Sequence, residues 1–165
     1  MKIIVRLITI VVLGVLGYWV WTVLHPSPEE IIRKNLLQVA RNASFAANKS
    51  NITRLTDAQK LGGFFSSDAN VTLDVPGAAQ HTFEGRDEIV QTAYAAQKVL
   101  SSVDIQFVGL VLALAPDKKS AEVELTAKIN APGEKSFFPQ ELKFLLKVID
   151  GHWLITHVET VRVLK

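Results

Sequence analysis

The sequence predicts an α+β domain that follows a single N-terminal membrane-spanning helix. Three observations lead to this prediction. A long apolar run opens the chain, apolar residues then recur mostly at helical spacing as far as residue 100, and the last third alternates with a period of two. Helices followed by four long strands are typical of a curved, mostly antiparallel sheet with helices on one face. We expect about three such helices and a cone-shaped domain.

The apolar run is long enough to cross a bilayer. Residues 7–24 form 18 consecutive positions without a charge. As a helix, residues 3–24 would extend about 33 Å, and a hydrocarbon core is about 30 Å thick. Trp19 and Trp21 stand near its end, where an interfacial aromatic belt is expected. We therefore predict a transmembrane signal-anchor at residues 1–24. A cleaved signal peptide is the alternative, but no small-residue cleavage site follows the run.

The charges around this run predict its orientation. Lys2 and Arg6 precede it, and the first eight residues after it contain no lysine or arginine. The positive-inside rule then places the N-terminus in the cytoplasm and the domain on the extracytoplasmic side, in a periplasm. Residues 25–27 would form a short hinge, and residues 28–165 would form the domain.

Composition excludes several classes of function. The net charge is only +2, and no concentrated basic run is present, so we expect no nucleic-acid binding. The chain has no cysteine, which excludes thiolate metal sites and a cysteine nucleophile. The four histidines show none of the spacings of metal ligands. We expect neither a metal nor another cofactor.

Local signals place the elements of the first part of the domain. Ser27 is a good N-cap residue and Pro28 suits the first helical position, so a helix should begin there. A second helix should begin at Thr56 and end at the Gly62–Gly63 pair, and Pro76 should stop the first strand. Residues 77–85 read as a loop. The predicted helices and this strand cover residues 28–48, 56–63, 70–76 and 86–100.

Four strands complete the predicted domain, at residues 103–115, 121–131, 138–150 and 153–164. The turns between them are short, so the strands should pair in order as an antiparallel meander. Gly109 lies inside the first of them, and a mid-strand glycine often marks a bulge or bend. Strands of this length should bend around the helices and leave a cone-shaped cavity.

Three short motifs carry a resemblance to a known family. They are Phe-Phe-Ser-Ser-Asp-Ala at 64–69, Phe-Glu-Gly-Arg-Asp-Glu-Ile at 83–89 and Asp-Gly-His-Trp-Leu-Ile at 150–155. In their order and spacing, residues 28–164 resemble the nuclear transport factor 2-like superfamily, and within it the SnoaL-like and ketosteroid isomerase-like domains. The resemblance implies the fold. It implies no single activity, because this fold hosts isomerases, cyclases, dehydratases, binding domains and scaffolds.

The resemblance also implies where catalytic groups would stand. Ketosteroid isomerase-like enzymes use a base at the end of the first strand, with a tyrosine and a protonated acid as an oxyanion hole. The base position falls on Leu73, and the tyrosine position falls near Asn42. The inner face of the strand expected to supply the acid is apolar. These positions are vacant, which favours a domain without catalytic activity.

Other polar residues remain candidates. Asp74 follows Leu73 and would reach the cavity only through a bulge. His157 and Glu159 are two residues apart and share a face with Trp153 and Ile155, so they could form an acid–base pair, unless they face solvent. Tyr94 could place its hydroxyl in the cavity, and His81 lies in a loop near its mouth. The candidate catalytic residues are Asp74, Tyr94, His157 and Glu159.

A binding function is the leading hypothesis. The cavity would be lined by Leu142, Phe144, Leu146, Trp153 and Ile155 and would take a small lipophilic ligand. The sheet would be the surface for a homodimer or a membrane-protein partner, because strand 103–115 alternates apolar residues on both faces. One face would carry Val108, Leu110, Leu112 and Leu114, and the other Ile105, Phe107 and Val111. The alternative is a SnoaL-like isomerase, cyclase or dehydratase acting on a lipophilic substrate.

Overall fold

A computed structural model describes residues 11–18, 26–46, 49–74, 80–130 and 138–161. Four helices are present in this part of the chain: α1 through residues 11–18, α2 Pro28–Ala43, α3 Asn51–Gly62 and α4 Arg86–Val99. The six strands are β1 Phe65–Leu73, β2 His81–Glu84, β3 Asp104–Leu114, β4 Ser120–Asn130, β5 Phe138–Ile149 and β6 His152–Thr160. The predicted α+β class is confirmed.

The strands form one mixed sheet in the order β2-β1-β6-β5-β4-β3. Strands β3 to β6 pair antiparallel with their sequence neighbours, which confirms the predicted meander. Strand β1 pairs parallel with β6, and β2 pairs antiparallel with β1. The turn between β5 and β6 is Asp150–Gly151, with φ of 51° and 79°. Two positive φ angles are typical of the type I′ turn that joins two-residue hairpins.

Strand β2 was expected to be part of a loop, and that expectation was wrong. Its residues pair with β1 from Asn70↔Glu84 to Leu73↔His81, so a non-local edge pairing imposes the extended conformation. Strand β1 also begins earlier than predicted, at Phe65 rather than at residue 70. Burial along the early part of β1 does not alternate clearly from one residue to the next, because the register of β1 against β6 shifts between Phe65 and Asn70.

Side-chain caps determine where α2 and α3 begin. Ser27 Oγ accepts a hydrogen bond from the Glu30 N–H at 3.3 Å, as predicted. Helix α3 begins at Asn51 rather than at Thr56, because Ser50 Oγ accepts from the Thr53 N–H at 3.2 Å. Helix α2 ends at Ala43, five residues earlier than expected.

The early end of α2 has a local cause. Ser44 is extended, and its N–H donates to the Ala40 carbonyl at 3.0 Å. The next residue, Phe45, forms a bridge with Val103, and both backbone bonds of that bridge measure 2.8 Å. Pairing with the start of β3 therefore competes with further helix and ends it.

The core lies between the helices and the inner face of the sheet. Ile32 and Leu36 on α2 are fully buried, as is Val123 on β4. The ring of Phe107 on β3 meets Phe144 on β5 edge to face, with 5.7 Å between ring centroids. Burial of this one continuous apolar layer supplies the main driving force for folding.

Gly109 decides which side chains of β3 join this core. Its φ is +66°, and the register between β3 and β4 shifts between Val108 and Val111 by one residue. This bulge puts Phe107 on the same face as Leu110, Leu112 and Leu114, and all four pack against the core. Val111 is 66% exposed on the other face. The predicted bend is confirmed. The predicted division of the apolar residues between the two faces is wrong, because the extra residue brings Phe107 to the face of Leu110, Leu112 and Leu114.

The predicted membrane span is described only in part. Residues 11–18 are helical and exposed. Within the part of the chain that the structure describes, no helix is both long enough and apolar enough to cross a membrane. The rest of the predicted anchor, residues 1–10 and 19–24, lies outside the described residues.

A close approach between α3 and α4 depends on Gly62. A Cβ at this buried position would overlap Cγ2 of Val90 on α4. Valine is stiff at χ1, so the contact cannot relax by a simple rotamer change. Glycine here lets the two helices approach.

Gly62→Ala should therefore lower the free energy of unfolding by about 1–2 kcal/mol, because overpacking outweighs the better helix propensity of alanine. Chemical denaturation of the full chain measures this loss. Val90→Ala should lower the free energy of unfolding less in the Gly62→Ala background than in the wild type. Simple additivity of the two losses would contradict the proposed contact.

A second glycine test concerns backbone conformation alone. A Cβ at Gly109 would meet nothing within 4 Å, so Gly109→Ala should lose only about 1 kcal/mol through its positive φ. Gly109→Asn should lose less, because asparagine tolerates this region better. Thermal unfolding of both variants provides the comparison. Equal stability of Gly109→Ala and wild type would argue against the bulge.

Candidate functional site

The five residues predicted to line a cavity all lie in the core. Their order of exposure runs from 1% for Leu146 and Ile155 through 3% for Phe144 to 8% for Leu142 and Trp153. All five are buried on the inner side of β5 and β6, and their role in lining a ligand cavity stays a prediction. They belong to one packed hydrophobic cluster with α2 and α4. Two of them also border open pockets on the surface, Trp153 at one end of β6 and Leu142 beside the Gly109 bulge.

His157 and Glu159 do form a pair, but on the other face. Their Nε2 and Oε2 atoms are 3.5 Å apart. Ile155 pairs with Leu146 while His157 pairs with Leu145, so one residue of β6, Thr156, is extra. The bulge turns Val158 inward, at 3% exposure, and turns His157 and Glu159 outward. The expectation that this pair shares a face with Trp153 and Ile155 was therefore wrong.

Asp74 lies at the end of β1, just beyond Leu73. Leu73 packs against the core, so an aliphatic side chain occupies the position where the sequence resemblance implied a catalytic base. The Asp74 N–H donates to Thr160 Oγ1 at 3.0 Å, and the Gln140 side chain donates to the Asp74 carbonyl. These bonds hold the end of β1 against β5 and β6. At the other vacant position, Asn42 donates to the Gln38 carbonyl at 2.8 Å, within α2.

Asp74 and Glu159 both line an open pocket of about 610 Å³, which we call the polar groove. It crosses the outer face of the sheet near the ends of β1 and β6. Its lining residues are Thr72, Asp74, Gln80, Glu124, Lys143, Glu159, Thr160 and Val161. The groove brings together two of the four catalytic candidates, with His157 beside Glu159.

Tyr94 and His81 are held by other neighbours. Lys98 Nζ lies over the Tyr94 ring, 4.3 Å from its centroid, along the surface of α4. The His81 ring stacks on Phe83 at 6.4 Å between centroids, within β2. Neither residue is part of the polar groove.

Charge around the groove is organised by Lys143. Its Nζ lies 2.8 Å from Glu122 Oε1. The Glu122 carboxylate accepts a hydrogen bond from Lys143 and so raises the pKa of Lys143. Desolvation opposes this shift, and the charges of Glu122, Glu124 and Glu159 add to it. Lys143 is therefore charged at neutral pH. In the described residues, no group of three or more histidine, aspartate or glutamate side chains is placed to hold a metal ion.

A second pocket lies at the opposite end of the sheet. We call it the hairpin cleft, and its volume is about 530 Å³. It is bounded by the first two turns of α2, the connection between α3 and β1, and the β5–β6 hairpin. Its lining residues are Ile31, Asn35, Gly63, Phe64, Ile149, Asp150, Gly151, His152, Trp153 and Leu154. Most of these side chains are apolar.

Hydrogen bonds fix the walls of the hairpin cleft. Asn35 Nδ2 on α2 donates to the Trp153 carbonyl at 3.3 Å. The Ile155 N–H donates to the Phe64 carbonyl at 2.8 Å, which joins β6 to the residues before β1. The sequence analysis missed this cleft. The Asp150–Gly151 turn signal and the apolar residues beside it were visible, but their position next to α2 follows only from the tertiary fold.

Comparison with known proteins identifies the fold. A scan of family models and a search of curated proteins each found no match to this sequence. Among solved structures, an NTF2-like protein of unknown function from Pseudomonas putida KT2440 matches with a TM-score of 0.60 and 11% identity, over 81% of this chain and 85% of that one. The yeast UBP3-associated protein BRE5 matches with a TM-score of 0.62 and 14% identity, over 84% and 98%.

An uncharacterized protein with a cystatin-like fold from Caulobacter vibrioides also matches, with a TM-score of 0.61 and 16% identity, over 82% of this chain and 89% of that one. Likeness at such low identity concerns the backbone and carries no information on activity. The fold of this chain is the cystatin-like, NTF2-like α+β fold, as the sequence motifs implied.

The role of Lys143 gives a testable prediction. Because its pKa is raised in the folded chain, its stabilising contribution holds below the unfolded-chain pKa of about 10.4 and is lost as pH rises through the folded value. Lys143→Gln should lower the melting temperature at neutral pH, and the difference from wild type should shrink above about pH 10.4. Added salt should also reduce this difference in melting temperature.

Lys128→Gln provides the matched control, since Lys128 is an exposed lysine on β4. It should change the melting temperature little at any pH or salt concentration. An identical pH and salt response in the two variants would show that Lys143 has no special electrostatic role.

Proposed function

We propose that this chain is a non-catalytic ligand-binding domain that residues 3–24 tether to the outer face of a membrane. The position of the hairpin cleft is the observation that carries the proposal. Its apolar wall lies beside the first two turns of α2, and only three residues separate Pro28, where α2 begins, from the predicted span. A ligand in the cleft would lie close to the bilayer, where small apolar molecules concentrate.

The arrangement of the polar candidates supports binding over catalysis. General acid–base chemistry needs its groups within hydrogen-bonding reach of one reacting atom, in a site that excludes water. The Glu159 side chain is 48% exposed. Trp153 and Glu159 are six residues apart on β6, or about 20 Å at 3.3 Å per residue, so the polar groove is remote from the apolar cleft.

The absence of cysteine makes the tether and its orientation easy to test. Val111→Cys introduces one thiol at a position that is 66% exposed on the outer face of the sheet. We expect the full chain to stay with the membrane through alkaline extraction. We also expect a membrane-impermeant maleimide to label the thiol from the extracytoplasmic side of sealed cells. Release by alkali, or labelling only after lysis, would contradict the proposal.

A variant within the predicted span serves as the control for membrane tethering. An arginine at the centre of a span costs about 2.5–3.5 kcal/mol in insertion. Leu13→Arg should therefore increase the fraction released by alkali, while the folded domain keeps its melting temperature. No change in extraction would show that residues 3–24 do not span the bilayer.

The second candidate is a SnoaL-like enzyme, and the polar groove is the observation that favours it. A base in this groove would exchange protons next to a carbonyl. Nuclear magnetic resonance can follow deuterium exchange into lipophilic unsaturated ketones in D₂O, with Asp74→Asn/Glu159→Gln as the control. We expect equal exchange with both proteins. Exchange that is lost in the double variant would replace the binding proposal with an enzymatic one.

A partner on the sheet is a further proposal for this chain. With the Gly109 bulge in place, a second copy or a membrane-protein partner would meet a mixed surface of charged residues and Val111, not an apolar one. Association through such a surface should weaken as salt increases. Sedimentation of the full chain at low and high salt tests this, and a strict monomer in both would count against a homodimer.

A further inference from the structure

We propose that the hairpin cleft takes one acyl chain of a membrane phospholipid, with Lys119 and Lys147 contacting its phosphate. This inference rests on the proposed tether and names the ligand of the same site. Three features carry it: the apolar lining of the cleft, the lysines that the fold gathers beside it, and the short distance to the predicted span.

The folded sheet brings the lysines to one end, with Lys147 on the outer face and Lys119 on the inner face. In an antiparallel meander, the β3–β4 turn and the β5–β6 turn lie at the same end. The Val148 N–H donates to the Lys119 carbonyl at 2.8 Å, and Lys147 pairs with Ser120. The side chains of Lys118, Lys119 and Lys147 are all exposed there. Along the sequence, Lys118-Lys119 is an isolated pair.

Lys147 adjoins the cleft through Leu154 on the outer face, whereas Lys119, opposite Val148, lies on the inner face with Trp153. Leu154 lines the cleft and lies directly opposite Lys147 in the β5–β6 pair. Side chains at opposite positions of an antiparallel pair point to one face, with Cβ atoms about 5 Å apart. Asp117 lies in the same turn as Lys119, but its carboxylate accepts the Lys119 N–H at 2.9 Å and so is directed into the turn. The lysine side chains remain exposed for a phosphate.

The cleft is within reach of a lipid that stays in the bilayer. Residues 25–27 can extend about 10 Å at most. Ile31 lies about 5 Å along α2, and Asn35 about 10 Å. Both lining positions therefore lie within about 20 Å of the end of the span, and one leaflet of hydrocarbon is about 15 Å deep. A phospholipid at the surface could insert one chain between Ile31 and Trp153 while its headgroup stays at the interface.

The volume and chemistry of the cleft fit an acyl chain better than a polar metabolite. Its volume of about 530 Å³ is in the range of small-molecule sites. Ile31, Phe64 and Leu154 are each partly exposed in the cleft, so a hydrocarbon chain there would remove apolar surface from water on both sides. The phosphate would then supply the charge that two lysines recognise.

Trp153 can report occupancy directly. The chain has three tryptophans, so a Trp19→Phe/Trp21→Phe variant leaves Trp153 as the only one. We would reconstitute this full chain into phosphatidylcholine vesicles in which lipid with brominated acyl chains progressively replaces unbrominated lipid. Bromine quenches tryptophan at short range, so we expect Trp153 emission to fall with saturation. No quenching in chains shown to be membrane-incorporated would overturn the inference.

Variants separate the two parts of the site. Leu154→Asp and, independently, Ile31→Ser should remove most of the quenching while retaining a cooperative unfolding transition. Lys119→Gln and Lys147→Gln should each weaken half-saturation about fivefold, whereas Lys128→Gln at the far end of β4 should not. Unchanged quenching in both apolar variants would overturn the inference. Displacement of the brominated lipid by inorganic phosphate would show a free-phosphate site, and would overturn it too.

A micelle experiment separates this inference from the tether. Detergent micelles that contain brominated lysophosphatidylcholine present the same chain and phosphate without a bilayer. If Trp153 is quenched in micelles but alkali releases the protein from membranes, the cleft is supported and the tether is rejected. Membrane retention without quenching in either system would support the tether and reject the cleft, as would occupation of the cleft by residues 19–25 of the chain itself.

Discussion

The register of the β3–β6 meander is the constraint on which the rest of the structure depends. With a side-chain period of two, one extra residue exchanges the faces of everything beyond it in a strand. Gly109 provides that extra residue in β3, so Phe107 and Leu110 both lie on the core side. Thr156 provides it in β6 and turns Val158 into the core. The two bulges together create one continuous apolar inner face and leave the charges on the outer face.

The same register places the apolar side chains on the inner face of the sheet and the polar catalytic candidates of the sheet on the outer face. The inner face of β5 packs against the helices through Phe144 and Leu146, at the place where the sequence resemblance implied a catalytic acid. Leu73 occupies the base position and joins the same layer. The carboxylates that remain, Asp74 and Glu159, line the polar groove on the outer face, and the charge of Glu159 acts on Lys143 there. This arrangement is the reason for proposing binding rather than proton transfer in a dry cavity.

Antiparallel pairing also gives the domain two different ends. At one end, β1 and β6 finish beside the polar groove. At the other, the β5–β6 hairpin, the start of α2 and the residues before β1 surround an apolar cleft. Helix α2 leads from the predicted span, so the apolar end is the one expected to face the bilayer. The proposed function follows from this polarity of the fold.

The sequence by itself determined the elements whose signals are local. The Ser27 cap, the helical stripe of α2, the Asp150–Gly151 turn and the order of the last four strands all follow from periodicity and turn chemistry. The inward positions of Leu142, Phe144 and Leu146 followed from strict alternation, which β5 keeps. The NTF2-like fold could be recognised from three motifs for the same reason, because each lies where one element passes into the next.

Only the tertiary structure decided what depends on contacts between distant residues. Strand β2 exists because β1 pairs with it, and α2 stops at Ala43 because Phe45 bridges Val103. The sheet face on which His157 lies depends on one unpaired residue of β6, and neither composition nor periodicity indicates that residue. Lys147 and Lys119 reach the same end of the sheet, and the Trp153 carbonyl accepts from Asn35, only after the strands are aligned. Local energies select helix, strand and turn, whereas faces, clefts and charge clusters arise from register and packing, which no short segment contains.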